Sequence, residues 1–439
     1  MARANVSLAL AFACVVLAAL LVACPQKKGP PEPAVTESSA PSASASAAPT
    51  APVAVVAVSG DAERGKKAFE QFECARCHDH PEVKVNDPDK RCFACHKSIE
   101  KTDYGPGPDP MLVKWQEHVY ELQDAPSLFA TRARLRKSWV AAFLRAPVDV
   151  RPRLKAMMPR LAIDEQQAAD LAQYLCPDED TDGTADAGAS ADEAVLAKGR
   201  ALVESKGCAT CHLFSGTDAL AVSKLPKGVK VVNLDGAKRL APDLRFVRER
   251  FRRGPMNAML LAWLSKPSAV KSDTLMPDIP LDGDEVSAIA TFLVAVPLAP
   301  PVAKPVPERL PVLTRPVTYD EVAKTVLKRA CWHCHSEAGL ARGDGGPGNT
   351  GGFGFKGRKL NFVDYASTFA GFLDDTGKRT SVFAASPDGV PWLVAALVSR
   401  QREEAGELPA LRGMPLGLPA LPPEEIQLVE TWIAQGKAR

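Results

Sequence analysis

Four stretches of this 439-residue chain share one pattern: Cys74-Ala75-Arg76-Cys77-His78, Cys92-Phe93-Ala94-Cys95-His96, Cys208-Ala209-Thr210-Cys211-His212 and Cys331-Trp332-His333-Cys334-His335. Two cysteines three apart stand on one face of a helical turn. Both thiols can therefore bond a single flat group, and the histidine that follows can turn its imidazole under that group to ligate a metal. This is the attachment pattern of a covalent c-type haem. Random placement of the chain's 11 Cys and 7 His would give only ~0.004 such motifs, so four are not accidental. A thioredoxin-like redox pair needs one motif in a strand-to-helix setting. A zinc ribbon could use Cys74/Cys77 with Cys92/Cys95, 14 residues apart, but it has no use for the histidine after each pair.

An iron held by one histidine takes its second axial ligand from the far face, and methionine there gives a higher-potential electron carrier. Three of the 8 methionines precede proline: Met158, Met276 and Met414. They follow His78, His212 and His335 by 80, 64 and 79 residues, and each precedes an acidic, helix-patterned stretch (164–175, 282–296 and 423–436). The chain thus repeats attachment helix, variable middle, Met-Pro loop and closing helix three times. Met157 competes with Met158 but does not precede the proline. The Cys92–His96 motif is an insertion without a Met-Pro loop. Its sixth ligand is expected to be His118, 22 residues past His96 in a helical stretch, with His80, Met111 or an open face as alternatives. His333, inside the third motif, reads as a bystander facing away from its own iron. A bis-histidine iron should have a lower potential than the three His/Met irons.

These residues resemble class I cytochrome c domains over 60–176 and 193–297, where Gly65-Lys66-Lys67-Ala68-Phe69 and Gly199-Arg200-Ala201-Leu202-Val203 lead into the attachment motif. The resemblance implies an N-terminal helix crossing a C-terminal helix, with the Met-Pro loop closing the far face. It also implies that Pro126-Ser127-Leu128 and Pro242-Asp243-Leu244 back the proximal His78 and His212. Segment 317–439 is similar to cytochrome c domains of planctomycete and myxobacterial proteins, through its motif, Asn361–Tyr365, Gly413-Met414-Pro415 and Trp432-Ile433-Ala434-Gln435-Gly436. Covalent haem c at four sites follows from the resemblance and the motifs together. The cofactor-binding residues are Cys74, Cys77, Cys92, Cys95, Cys208, Cys211, Cys331 and Cys334. The iron ligands are His78, Met158, His96, His118, His212, Met276, His335 and Met414.

Residues 1–23 read as an export signal: a basic start and an apolar run. Leu21-Val22-Ala23-Cys24 resembles a bacterial lipobox, which implies lipidation of Cys24. Residues 24–59 are an Ala/Pro/Ser-rich disordered tether, 177–192 an acidic linker and 298–316 a Pro-rich, semi-rigid spacer. With 54 Lys+Arg against 52 Asp+Glu, the chain is no strongly basic nucleic-acid binder. Arg245–Arg253 reads as an amphipathic helix whose basic face is either solvated or a docking patch for an acidic redox partner. Cys176 is a spare, buried as a small hydrophobe, and the glycine-rich 339–357 stretch lacks a phosphate-loop ending. Aromatic residues make up 6% of the chain, which is expected if porphyrin rings fill the cores.

The fold class expected is all-α: three cytochrome c-like helical domains on flexible linkers. The function expected is electron relay by a tetrahaem, membrane-anchored carrier with no catalytic residues. Its setting would be the periplasm or cell envelope of a Gram-negative bacterium, with the outer membrane favoured. Partners would be redox proteins: other cytochromes, an oxidase, a reductase or a dehydrogenase, the chain serving in the last case as that enzyme's cytochrome subunit. The main rival is a haem enzyme of the peroxidase or nitrite-reductase type working at the Cys92–His96 site.

Overall fold

Gly65 and Gly199 show how the first two segments are built. They lie in helices Ala62–Gln71 and Glu193–Ser205, each nine residues before the first cysteine of its motif. A Cβ at Gly65 would lie 2.0 Å from the Asp170 carbonyl oxygen, and one at Gly199 2.3 Å from that of Ala288. Only glycine lets each helix cross its partner, Glu165–Leu175 or Gly283–Ala295, backbone against side. Asp170 fastens the first crossing by accepting hydrogen bonds from the Asp61 amide at 2.7 Å and from Arg64 at 2.8 Å. The Glu165–Leu175 helix starts at a reciprocal cap between Asp164 and Gln167, which satisfies two otherwise orphan amides.

This computed structural model describes residues 58–85, 90–104, 110–119, 124–178, 192–252, 254, 257–295, 304–337 and 346–439. The apolar run, Cys24, the tether and most of the acidic linker lie outside them. The described residues are mostly helical, and none of their helices is long and apolar enough to cross a membrane. Strand is confined to two antiparallel pairs in the third segment, Gly351–Gly352 with Phe355–Lys356 and Phe372–Leu373 with Arg379–Thr380.

The third segment solves its helix crossing with aromatic rings. Helix Tyr319–Val322 continues as a wider π-helical stretch, Ala323–Cys331, into its motif. Helices Trp392–Glu404 and Pro423–Ala434 complete the core. The fully buried Trp432 packs its ring 5.8 Å from Tyr319 and 5.5 Å from Phe383.

The described parts of the three segments belong to one compact unit, closer-knit than domains on free joints. Between the first and third, the Met157 amide donates to the Gly417 carbonyl at 2.8 Å. Arg160 donates to the Pro409 carbonyl at 2.7 Å and pairs with Glu403 at 2.9 Å, both side chains being largely buried. On the opposite side, Glu73 accepts from the Phe353 amide at 2.9 Å. Between the first and second, Arg136 donates to Arg250 and Arg252 to Arg134 through their backbones, forming a short antiparallel bridge at Leu135 and Phe251. Asp124, buried, accepts from Arg239 at 2.6 Å and pairs with Lys97 at 2.8 Å.

One linker expectation and one surface expectation change. From Lys304 to Pro316 the Pro-rich spacer is extended but not free, because it lies along the last helix. Leu313 donates to Thr431 at 2.9 Å, Gln435 donates to the Arg315 carbonyl at 2.8 Å, and Arg309 pairs with Glu430. Prolines lack the N–H groups that would bind a neighbouring strand, so the strap is held mainly through its carbonyls and side chains. The basic run also differs from an outward-facing patch: Arg245 and Arg250 are buried, and Arg252 reaches Asp178 at 3.1 Å.

Although burial opposes it, the Lys97 and Arg239 cations hold the Asp124 carboxyl below its ordinary value of 3.8. A depressed carboxylate pKa adds stability above the unfolded value, and that stability is lost as pH falls through the folded one. Asp124→Asn is therefore expected to cost about 1–3 kcal/mol at pH 7. In thermal melts against pH the gap between variant and parent should narrow below pH 3.8; a gap constant down to pH 2 would contradict this clamp.

Candidate functional site

The motifs at Cys74 and Cys208 each form a short turn directly after the helix that precedes them. Cys74–Arg76 follows Glu73, and Cys208–Thr210 follows Gly207, both in the left-handed region that reverses the chain. The turn carries both cysteines and directs the next histidine inward. His78 Nδ1 lies 2.8 Å from the Pro126 carbonyl, and His212 Nδ1 lies 2.8 Å from that of Pro242. A carbonyl only accepts, so Nδ1 carries the proton and Nε2 keeps its lone pair for a metal. Burial lowers the pKa of both imidazoles, a shift the two carbonyls oppose. Both rings are thus neutral at pH 7, the form that ligates.

His335 is placed differently. Its ring lies against Gly348, where a Cβ would come within 2.0 Å of Cε1. Burial brings its pKa down to about 4, the Gly348 backbone pulling weakly the other way. The thiols are kept protonated: burial pushes Cys74 and Cys331 up to about 12 and Cys208 to about 11. Cys77 is raised first by its hydrogen bond with Cys92, then by burial. The first and second motifs are therefore in contact.

One continuous cavity of about 870 Å³ serves both the first and the third motif. Cys74, Cys77 and His78 line it with Met158, and Cys331, Cys334 and His335 line it with Met414. Cys92 opens onto it as well. Its size lies toward the upper end of small-molecule sites, about 300–1,000 Å³. The cores of the two segments border it through Phe69, Phe72 and Leu171 on one side and Phe362, Leu393 and Leu397 on the other. Both predicted methionines thus reach the same space as their histidines; so does Met157. In the second segment Met276 is half-buried in the loop before the closing helix, its amide donating to Thr274 at 3.1 Å.

Two arginines on this wall, Arg134 and Arg151, went unrecognised in the sequence, and a third, Arg250, belongs to the basic run 245–253. Arg134, Arg151 and Arg250 all line the cavity, and among the described residues none forms an ion pair with a carboxylate. Burial brings Arg134 and Arg151 down to about 10 and Arg250 well below its ordinary value; Arg134 further lowers Arg151, both lower Arg250, and Asp273 and Asp149 offset the burial of Arg134 and Arg151 only in part. Crowded guanidiniums with no carboxylate in direct ion-pair contact are expensive. An acidic group entering the cavity relieves that cost. A haem brings a flat apolar ring and two carboxylates, and its attachment needs two thiols and a neutral imidazole at the wall. The residues present fit it.

The second motif lies on helix Cys92–Glu100, packed against helix Pro110–Val119 through Ile99, Leu112 and Val119. His96 is buried. His118 belongs to the neighbouring helix, but its side chain lies outside the described residues, as does that of Met111. His80 is held by its own loop: Nδ1 accepts from the Glu82 and Val83 amides, and the ring stacks 5.5 Å from Tyr174. The residue the structure does bring to His96 is His333, with ring centroids 6.2 Å apart. His333 thus lies beside the second motif as well as within the third. Among the described residues no three His, Cys, Asp or Glu side chains gather as ligands of a bare metal ion. Cys176 is buried at the end of its helix, as expected.

Comparison with family models, curated proteins and solved structures finds no match to this chain. The site must be read from its own chemistry.

Loss of a positive charge beside an iron favours its oxidised state. If a haem is held at the first motif, Arg151→Leu is expected to lower its midpoint potential by the equivalent of on the order of 1 kcal/mol. A spectroelectrochemical titration reads the shift; an unchanged or raised midpoint would mean that the guanidinium does not serve the site.

Proposed function

We propose that the chain is an exported, lipid-anchored c-type cytochrome that carries four haems and relays electrons between redox proteins of the cell envelope. The observation that carries this reading is the shared cavity, which joins two complete sets of attachment and ligand residues without a protein wall between them. Each bound haem iron would supply a one-electron couple. The chain's residues hold, orient and insulate it. His78, His212 and His335 present neutral imidazoles, with the first two tautomers set by backbone carbonyls. Met158, Met276 and Met414 would supply thioether ligands to the same irons, and Arg134, Arg151 and Arg250 would balance the haem carboxylates.

The arrangement favours relay over catalysis. Three of the four irons are assigned both axial ligands, and a relay needs its cofactors close while a substrate site needs an open face. The haem count per chain, by mass and pyridine haemochrome, tests the reading with a redox titration. Four haems and one couple clearly below the other three are expected. Three or fewer haems, or four couples at one potential, would contradict it.

A further inference from the structure

We infer that His333 is the sixth ligand of the haem attached at Cys92 and Cys95, so that the third segment completes an iron site belonging to the first. This rests on the four-haem reading above and goes beyond it. Metal-bound imidazole nitrogens lie roughly 2 Å from a first-row metal with ring centroids about 1 Å further back, so two imidazoles on opposite faces of one metal hold their centroids about 6 Å apart. The His96 and His333 centroids are 6.2 Å apart. Their planes are inclined at 65°, and rotation about two opposed metal–nitrogen bonds leaves that angle free. His96 sits buried on its helix while His333 lies on the exposed surface of the third motif. The third segment thus reaches His96 without rearranging the first segment's core.

The consequence is topological. His333 stands between Cys331 and Cys334, the two thiols of the third motif. Cys77 of the first motif meets Cys92 of the second. The inserted haem is then tied by its own thiol to the first site and by its distal ligand to the third. It becomes a bridge between the two haems of the shared cavity. It also becomes a staple, since losing His333 frees one of the bonds between segments.

The test uses the full-length haem-loaded protein and three variants, His333→Gly, His333→Met and His118→Ala, with haem counted in each. His333→Gly is expected to keep four haems but leave one five-coordinate, so that one haem in four binds carbon monoxide when reduced. Added imidazole should fill the gap and abolish that binding. His333→Met should remain six-coordinate and raise the lowest midpoint potential, which separates ligation from a structural role. His118→Ala should match the parent. A parental, unreactive spectrum in both His333 variants would overturn the inference, as would carbon monoxide binding in His118→Ala. A parent with three haems and unmodified Cys92 and Cys95 would overturn the four-haem reading itself, and this ligand with it.

Discussion

Arg134, Arg151 and Arg250 meet around a cavity, and among the described residues no carboxylate forms a close ion pair with them, Asp273 and Asp149 acting on Arg134 and Arg151 only from a distance. Burying like charges together is among the least favourable arrangements a protein can adopt. The surrounding structure makes sense as the frame that holds these cations ready for acidic groups brought by a ligand. Arg134 and Arg151 come from the first segment and Arg250 from the second, so the cavity fixes how those segments join. The short bridge at Leu135 and Phe251 sets Arg134 and Arg250 in register. The third segment closes the other side through Met157, Arg160 and Glu73. A space that would cost apolar burial in an ordinary core instead separates two half-cores.

Much of this was legible in the sequence because covalent chemistry constrains spacing. Under the proposed haem attachment two thiols must meet one ring, which would fix the spacing of Cys74/Cys77 and its counterparts and turn the following histidine inward. The Met-Pro loops were legible for the same reason, at Met158 and Met414 on the cavity wall. Gly65 and Gly199 were quoted within their helices, but their function is steric and depends on the partner carbonyls of Asp170 and Ala288. No sequence pattern announces which carbonyl lies across a helix crossing.

What the sequence concealed depends on contacts between segments. Arg245–Arg253 has the periodicity of an amphipathic helix, and periodicity alone does not say whether its basic face meets solvent or a cavity. The Pro-rich strap had the composition of a spacer, while its attachment depends on Thr431 and Gln435, more than a hundred residues away. The nearness of His333 to His96 is a contact between segments of the same kind, and its place inside the third motif does not announce it. A histidine unused by its own site, in a chain with just 7, was the available signal.

The central claim is that the first and third segments hold their redox groups in one shared space. Laser-flash reduction of the partly oxidised protein measures it most directly, by following how fast an injected electron redistributes among the haems at different protein concentrations. The account predicts a redistribution phase whose rate does not change with concentration, because the electron stays within one molecule. A phase whose rate rises in proportion to concentration would show that electrons pass between molecules, and would contradict the shared cavity.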